Sequence, residues 1–331
     1  MCGISGIIGW PGEFDDGLLT IKNMSNSLHH RGPDDHGVWF DKKHKIYLGH
    51  NRLSILDLSK AGKQPMHSHC QRFVITFNGE IYNHLFIREM LEKKRKMNWF
   101  GTSDTETLLE AISCYGLDEA LKLLTGMFSF CLFDKLNQDI YLVRDRLGEK
   151  PLYLLKQKSK FFAFASEISA FYKIKEFKPD LNKDAVSCFF KRGWIAAPHS
   201  IWKNVTKVLP GNVVKLTLNN YGNFLCKLGR LDEAEKTLLK AAKNPLYDTP
   251  EIALTNAGLC LYQNGQVENS KKYFREALQL NPSIPQALIK MSEINFDTKN
   301  YLSARAYLQR YQEIAPHNAK TLLLGIKIEN K

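Results

Sequence analysis

The sequence lacks several patterns that define common classes of protein. Its seven cysteines include no C-x-x-C pair, and a chain of 331 residues is too large to need a disulfide framework. The N-terminus has no basic segment followed by an apolar stretch of about 7 to 15 residues, and no apolar run of about 18 residues occurs elsewhere. We therefore expect no metal, no membrane segment and a reducing, cytoplasmic compartment.

Basic residues exceed acidic ones, but the excess is spread along the chain. There are 46 Lys and Arg against 34 Asp and Glu, a formal net charge of +12. The one dense run, Lys-Lys-Arg-Lys at 93–96, is typical of a charged helix end or a solvated loop. We predict no nucleic-acid partner. The length and the 44% hydrophobic content indicate two globular domains.

The first residues of the chain carry a candidate nucleophile. Removal of Met1 would expose Cys2, whose α-amine and thiol have ordinary pKa values of about 7.7 to 8 and about 8.5. Such an amine can accept the proton of its own thiol, so that no separate histidine is required. The alternative is a structural cysteine before a buried strand at 4–9, since Cys is often buried.

Apolar patterning predicts an α+β first half. It indicates strands at 4–9, 37–40, 46–55, 73–77, 126–134, 140–148, 161–166 and 213–218, with helices at 14–30 and 108–115. Arg52 lies inside one of these strands, which is unusual unless its guanidinium faces a site or a carboxylate. The pair Asn78-Gly79 follows another strand and could be a hairpin turn. Asp104 could be a helix cap, as could Ser103.

Eight short motifs occur in order over about 200 residues: CGI at 2–4, HRGPD at 30–34, GHNRLSI at 49–55, FNGEIYN at 77–83, SDTE at 103–106, RDRLG at 144–148, KPLY at 150–153 and ASEI at 165–168. In these motifs the chain resembles the glutaminase domain of glutamine-hydrolysing asparagine synthetases, a class II glutamine amidotransferase. The resemblance implies an N-terminal-nucleophile hydrolase fold, an αββα four-layer sandwich. It also implies L-glutamine as substrate, with no cofactor in this domain.

Residue roles are implied by the same resemblance. Cys2 matches the nucleophile, and Asn78 with the N–H of Gly79 matches the oxyanion donors. Arg52 matches the residue that binds the substrate α-carboxylate, for which a bidentate guanidinium is suited. Asp104 matches the partner of the α-ammonium group, and Glu80 is expected to line the pocket. Arg31 and Asp34 are interpreted as loop-forming or supporting residues.

The second half of the chain departs from that family. The resemblance continues through 180–216, but the Ser-Gly-Gly-x-Asp-Ser loop of a synthetase domain is absent, and no G-x-x-x-x-G-K-S/T motif replaces it. We therefore predict a glutaminase domain at 2–216 and no ATP-dependent synthetase activity. No Gly/Ser/Pro-rich linker separates this domain from the second half.

Residues 217–331 contain a repeat of 34 residues, the tetratricopeptide period. Leu254, Gly258, Ser270, Phe274, Ala277 and Pro282 recur as Leu288, Ser292, Ala304, Leu308, Tyr311 and Pro316. An earlier copy contains Gly222, Ala234 and Leu238. The pattern predicts about three stacked helical hairpins, an all-α solenoid. These residues resemble the tetratricopeptide outer-membrane lipoprotein of type IV pilus assembly.

The two halves allow two functions. The first is an enzyme that hydrolyses glutamine to glutamate and ammonia through a Cys2 thioester, with the ammonia released or passed to a separate subunit. The second is a scaffold whose repeat groove binds a protein or peptide while the glutaminase domain is idle.

Overall fold

A computed structural model describes residues 1–157, 161–216, 222–223, 225–226, 229–243, 249–316 and 319–331. The chain separates into two compact units, Met1–Leu216 and Thr217–Lys331. The segment that joins them, including the abrupt strand-to-helix junction expected at 216–220, lies almost entirely outside the described residues.

The first unit contains two antiparallel sheets. Their strands are β1 Gly3–Ile8, β2 Asp35–Asp41, β3 Ile46–Arg52, β4 Met66–His67, β5 Phe73–Ile81, β6 Gly126–Asp134, β7 Asp139–Arg144, β8 Tyr153–Gln157, β9 Phe161–Ala165, β10 Val205–Lys207 and β11 Val213–Leu216. One sheet has the order β10-β8-β9-β1-β3-β2, and the other has the order β11-β7-β6-β5-β4. β1 and β5 are therefore interior strands, whose backbones are paired on both sides.

The helices of the first unit are α1 Phe14–Asn26, α2 His84–Lys94, α3 Asp104–Tyr115, α4 Leu117–Leu123 and α5 Lys183–Arg192, with short 3-10 turns at His29–Arg31, Lys60–Gly62 and Ile168–Lys173. α1 to α4 pack against the outer faces of the sheets, whereas α5 is largely exposed. One apolar cluster joins α1 to the six-stranded sheet, a second lies between the sheets, and a third joins the five-stranded sheet to α2 and α3. These layers are the αββα sandwich that the resemblance implies.

Alternation along the strands decides which residues face the other sheet. Ile4 and Ile8 of β1 enter the cluster between the sheets, whereas Ile7 packs toward the helical layer. In β5, Val74 faces inward and Phe77 faces the helices. Even-numbered positions of both strands therefore point into the space between the sheets.

Three expectations about local structure were wrong in their boundaries. Asn78 and Gly79 form no hairpin turn, because β5 continues through them and pairs them with Ser129 and Phe128 of β6. The strand predicted at 46–55 ends at Arg52. The helix predicted at 14–30 ends at Asn26, and a 3-10 turn comes after it.

The second unit consists of paired helices. Those described are α6 Leu231–Ala242, α7 Pro250–Gln263, α8 Val267–Leu280, α9 Pro285–Asp297, α10 Tyr301–Ile314 and α11 Ala319–Glu329. The recurring small residues lie where helices meet: a Cβ at Gly258 would approach the Phe274 ring to 2.7 Å, and the Ser292 hydroxyl donates to the Ala304 carbonyl at 2.8 Å. Helical-hairpin stacking, as the period predicts, is confirmed.

A disulfide joins Cys226 to Cys260 on α7, with the Cα atoms 5.6 Å apart. The cysteine pattern had predicted no disulfide framework. Their separation of 34 residues is close to the length of one repeat, which places the two cysteines on adjacent hairpins. The bond closes a loop of about one repeat.

We expect Cys226→Ser to lower the free energy of unfolding of the repeat unit by about 2–4 kcal/mol, because the open chain gains conformational entropy when the loop is no longer closed. Urea unfolding of the full chain, followed by circular dichroism with and without reductant, measures this. Cys188→Ser, which removes a cysteine outside any disulfide, is the matched control. Equal unfolding midpoints for oxidised protein and Cys226→Ser would contradict the expectation.

Candidate active site

One pocket of the first unit collects the residues singled out from the sequence. It lies at the end of β1 and is lined by Met1, Cys2, Arg52, Leu53, Ile55, Leu56, Asp57, Gly62, Gln64, Phe77, Asn78, Gly79, Glu80, Ser103, Asp104, Thr105, Met127 and Lys150. All six predicted site residues are in this set, although they come from four separate segments of the chain.

Strand alternation explains how three of them meet. Cys2 precedes β1 at an even position, and Arg52 and Asn78 are even positions of β3 and β5, so all three share the inward-facing register. Gly3 pairs with Asn51, which brings Cys2 beside the end of β3. The side chains therefore converge at one mouth of the space between the sheets.

Cys2 is held by Leu53 at its sulfur and by Arg31 at its carbonyl oxygen. The Leu53 N–H lies 3.4 Å from its sulfur, and the thiol lies 3.7 Å from the Leu53 carbonyl oxygen. Arg31 Nε donates to the Cys2 carbonyl at 3.1 Å, while Arg31 also pairs with Glu167 at 2.6 Å. Burial raises the pKa of the Cys2 thiol, and the contact with Leu53 opposes this. Arg31 therefore links the backbone of Cys2 to Glu167, and its supporting role stays a prediction.

The amide of Asn78 is buried without a partner. The side chain is 1% exposed, and neither its nitrogen nor its oxygen finds a hydrogen bond among the described residues. Leaving a buried polar group unsatisfied costs about 1–3 kcal/mol. Among the described residues, the Asn78 side-chain N–H at the pocket wall therefore remains available to donate to a bound group. An oxyanion site requires a pre-positioned donor of this kind.

Gly79 is a glycine for a reason that the sequence did not reveal. A Cβ at this position would lie 2.2 Å from the Met127 carbonyl oxygen and 2.6 Å from the Phe128 Cα. The structure shows that the neighbouring strand β6 already excludes any side chain there.

Arg52 is buried and already engaged. Its Nη1 donates to the Ser59 carbonyl at 2.8 Å, and Nη2 donates to the Asp57 carbonyl. A Cβ at Gly62 would lie 2.1 Å from Nη2, so the absence of a side chain there makes room for the guanidinium. The resemblance assigns the Arg52 guanidinium to the substrate carboxylate. In this structure the same guanidinium holds the loop that lines the pocket.

Asp104 begins α3 inside the pocket, and Glu80 lies nearby on β5. The Asp104 carboxylate accepts the Ile81 N–H at 2.9 Å, while Ser103 caps the helix by accepting from the Thr105 N–H at 3.1 Å. Burial raises the pKa of Asp104 to about 6, and the Glu80 charge acts in the same direction. The helix-cap alternative therefore belongs to Ser103 rather than to Asp104.

Two residues outside the predicted set fix the strand that carries Asn78. Gln64 Oε1 accepts the Phe77 N–H at 2.6 Å, and His50 Nε2 lies 3.0 Å from the Phe77 carbonyl oxygen. Burial lowers the pKa of His50 to about 4, so it is neutral and can donate from Nε2. His50 is an even position of β3, so its inward direction follows from the alternation of the strand.

Glu106 anchors the loop that precedes Asp104. Its buried carboxylate accepts the N–H groups of Phe100 and Gly101 at 2.8 and 3.1 Å, and contacts His69 Nε2 at 2.8 Å. Within the residues that the structure describes, no group of three or more His, Cys, Asp or Glu side chains could hold a metal ion. His69 is instead part of this carboxylate network.

Two facing sheets between helical layers, with a cysteine before a central strand and an unpartnered amide beside it, are the architecture of an N-terminal-nucleophile hydrolase. Comparison with known proteins gives the family. Residues 1–223 match the glutamine amidotransferase domain, and the chain belongs to that family. Residues 222–283 and 255–319 match the tetratricopeptide repeat.

Individual relatives agree with both matches. The chain is 35% identical over 277 residues to a Methanocaldococcus jannaschii protein named as a glutamine-hydrolyzing asparagine synthetase, covering 77% of this chain and 52% of the relative. It is 32% identical over 217 residues to asparagine synthetase (glutamine-hydrolyzing) 3 of Bacillus subtilis, covering 65% of this chain and 34% of that protein. The structure of Pseudomonas aeruginosa PilF is 34% identical, with a TM-score of 0.33, and the match covers 34% of this chain and 51% of that one.

The family matches confirm a glutamine amidotransferase domain in the first half of the chain and tetratricopeptide repeats in the second. The chain spans between about a third and a half of the length of the two curated relatives. None of the helices in the described segments combines the length and the apolar character needed to cross a bilayer.

Proposed function

We propose that this protein hydrolyses the side-chain amide of L-glutamine to glutamate and ammonia, through a thioester on Cys2. The proposal requires that Met1 be removed, which transfers the free α-amine to Cys2. Neither a metal nor a cofactor takes part in this reaction. The observation that carries the proposal is the buried, unpartnered amide of Asn78 in the same pocket as Cys2.

The chemistry proceeds in two halves. The α-amine accepts the thiol proton, and the sulfur attacks the amide carbon to give a tetrahedral oxyanion, which accepts hydrogen bonds from Asn78 Nδ2 and the Gly79 N–H. The C–N bond then breaks, and the ammonium returns its proton to the departing nitrogen. Water attacks the thioester with the amine again as base, and release of glutamate restores the thiol.

Substrate orientation falls to the charged residues of the pocket. Arg52 exchanges its loop carbonyls for the glutamine α-carboxylate, and Asp104 pairs with the α-ammonium group, with Glu80 beside it. Both charged groups are attached to the α-carbon, so Arg52 and Asp104 together hold that end of the substrate. The reacting amide is thereby presented to Cys2 and Asn78.

Incubation of the purified full chain with L-glutamine tests the proposal, with glutamate and ammonia measured separately. D-glutamine and L-asparagine are the matched controls, since the first reverses the order of the charged groups and the second shortens the side chain by one methylene. Intact mass must first show that Met1 is absent. Processed protein that releases no glutamate would refute the proposal.

We expect the KM for glutamine to rise as the pH falls through about 6, approaching tenfold per pH unit below that value, because protonated Asp104 no longer attracts the α-ammonium group. The raised pKa places this loss above the range of an ordinary aspartate. Steady-state kinetics between about pH 5 and about pH 8 measures it. Asp104→Asn should have a high KM that is independent of pH; a pH-dependent KM in that variant would contradict the assignment.

The fate of ammonia and the compartment belong to the same proposal. We propose that ammonia is released or passed to a separate acceptor subunit, and that the repeats bind a protein or peptide, supported by a groove in which Lys290 lies 4.7 Å from the centre of the Tyr262 ring. We place the protein in the cytoplasm because the reaction needs a reduced Cys2 thiol. The Cys226–Cys260 disulfide is typical of an oxidising compartment and stands against this placement.

A further inference from the structure

Lys150 is a buried cation for which the proposed reaction gives no role. It lines the pocket with Cys2 and is 5% exposed. Within the described ranges, no hydrogen bond or ion pair involves its ammonium group. The ammonium group is not among the fully buried polar atoms that lack a partner, so the stem carries the charge to the open space of the pocket. Lys150 therefore presents an unpaired positive charge to the pocket that contains Cys2.

The backbone on both sides of Lys150 is tightly held. The Asp145 carboxylate accepts the Lys150 N–H at 3.1 Å and the Glu149 N–H at 3.0 Å, while Arg144 Nε donates to the Lys150 carbonyl at 2.8 Å. The same carboxylate accepts the Phe128 N–H, which ties the loop to β6. The side chain therefore starts from a fixed point at the pocket wall.

The field of Lys150 reaches the N-terminus. Burial lowers the pKa of the Met1 α-amine, and the positive charges of Arg31 and Lys150 lower it further. The Cys2 thiolate and Asp34 act in the opposite direction. Other charged groups that line this pocket are Arg52 on β3, Asp57 in the loop after that strand, Glu80 on β5 and Asp104 on α3. Removal of Met1 moves the amine by one residue, onto Cys2 in the same pocket.

We propose that Lys150 is a positioning residue that acts through the N-terminal amine: its ammonium group, in the same pocket, disfavours the protonated form of the α-amine of the processed chain, so that the amine can take the proton of the Cys2 thiol. This inference rests on the proposed glutaminase reaction. Arg31 is engaged by the Cys2 carbonyl and Glu167, so that Lys150 is the cation whose charge no carboxylate of the described chain balances at short range.

The test compares two variants. Lys150→Met removes the charge and keeps an aliphatic side chain of similar length, whereas Lys150→Arg keeps the charge. At saturating glutamine, the acid limb of the kcat profile should move up by about half a pH unit or more in Lys150→Met, and stay in place in Lys150→Arg. The loss of kcat is then larger at low pH and is recovered at high pH. Lys122→Met, which removes an exposed lysine paired with Glu119, is the matched control. A purely structural role would lower kcat equally at every pH.

A second readout does not depend on turnover. In Cys2→Ala protein, the pH dependence of N-terminal acetylation by limiting acetic anhydride reports the neutral fraction of the amine, and adding Lys150→Met should raise the midpoint by about half a pH unit or more. An unmoved midpoint would overturn the inference. A shifted midpoint, in protein whose wild-type form releases no glutamate, would support the inference while the proposed reaction fails.

Discussion

Cys2→Ala is expected to reduce glutamine hydrolysis by about 10⁴-fold or more, to the background of the assay, because loss of a nucleophile removes the covalent path altogether. Alanine is small enough for Met1 still to be removed, so the amine and the pocket remain. Glutamate release is measured with a coupled dehydrogenase assay, and intact mass confirms processing of both proteins.

Binding separates loss of chemistry from loss of structure in this variant. Cys2→Ala should still bind glutamine, since Arg52 and Asp104 are intact. A glutamine analogue with a diazoketone in place of the amide should label the wild type and leave Cys2→Ala unlabelled. Cys70→Ala, which removes an exposed thiol outside the pocket, should be labelled like the wild type. Equal hydrolysis by wild type and Cys2→Ala would end the case for an enzyme.

Asn78→Ala is expected to reduce kcat by about 10²–10³-fold, because an oxyanion donor acts mainly on the transition state. The free energy of unfolding should stay the same or rise, because removing an unsatisfied buried amide relieves a cost of about 1–3 kcal/mol that the lost packing partly offsets. Kinetics and urea unfolding on the same preparation measure the two effects.

Asn83→Ala is the matched control for Asn78→Ala. Asn83 donates to the Leu123 carbonyl at 2.8 Å and accepts the Thr125 N–H at 2.9 Å, and it does not line the pocket. Its removal should therefore cost about 1–3 kcal/mol of stability and leave kcat nearly unchanged. If Asn78→Ala instead destabilised the fold and retained its activity, the amide would be a structural group and the oxyanion assignment would be wrong.

The strands of the first unit could be predicted well because their interior positions are apolar and alternate. The even register of Cys2, Arg52 and Asn78 was also visible in the sequence. Alternation gives the face of a strand, but it does not say which strands of different sheets lie opposite each other. That β1 lies opposite β5 across the core is therefore known from the family resemblance and from the structure, and not from the pattern of the strands.

Several residues of the site had no local signal. Gln64 reaches the Phe77 N–H across 13 positions, and Lys150 comes from a loop whose shape depends on the buried Asp145. Such roles depend on tertiary contacts that composition and period do not encode. The 34-residue repeat was the opposite case, because each hairpin contacts its neighbour and the period alone fixes which residues pack together.

The engagement of Arg52 in the free protein has a consequence for affinity. When Arg52 binds a carboxylate, it must give up its two hydrogen bonds to carbonyl oxygens. The gain in binding free energy is therefore only the difference between the new hydrogen bonds and the lost ones. In the proposed reaction, recognition of the amino acid is thus an exchange of partners at Arg52, and the released Asp57 and Ser59 carbonyls must turn to solvent or to other donors. The proposal therefore implies weak, rapidly reversible retention of the substrate, so that occupancy depends on the concentration of free glutamine in the surroundings.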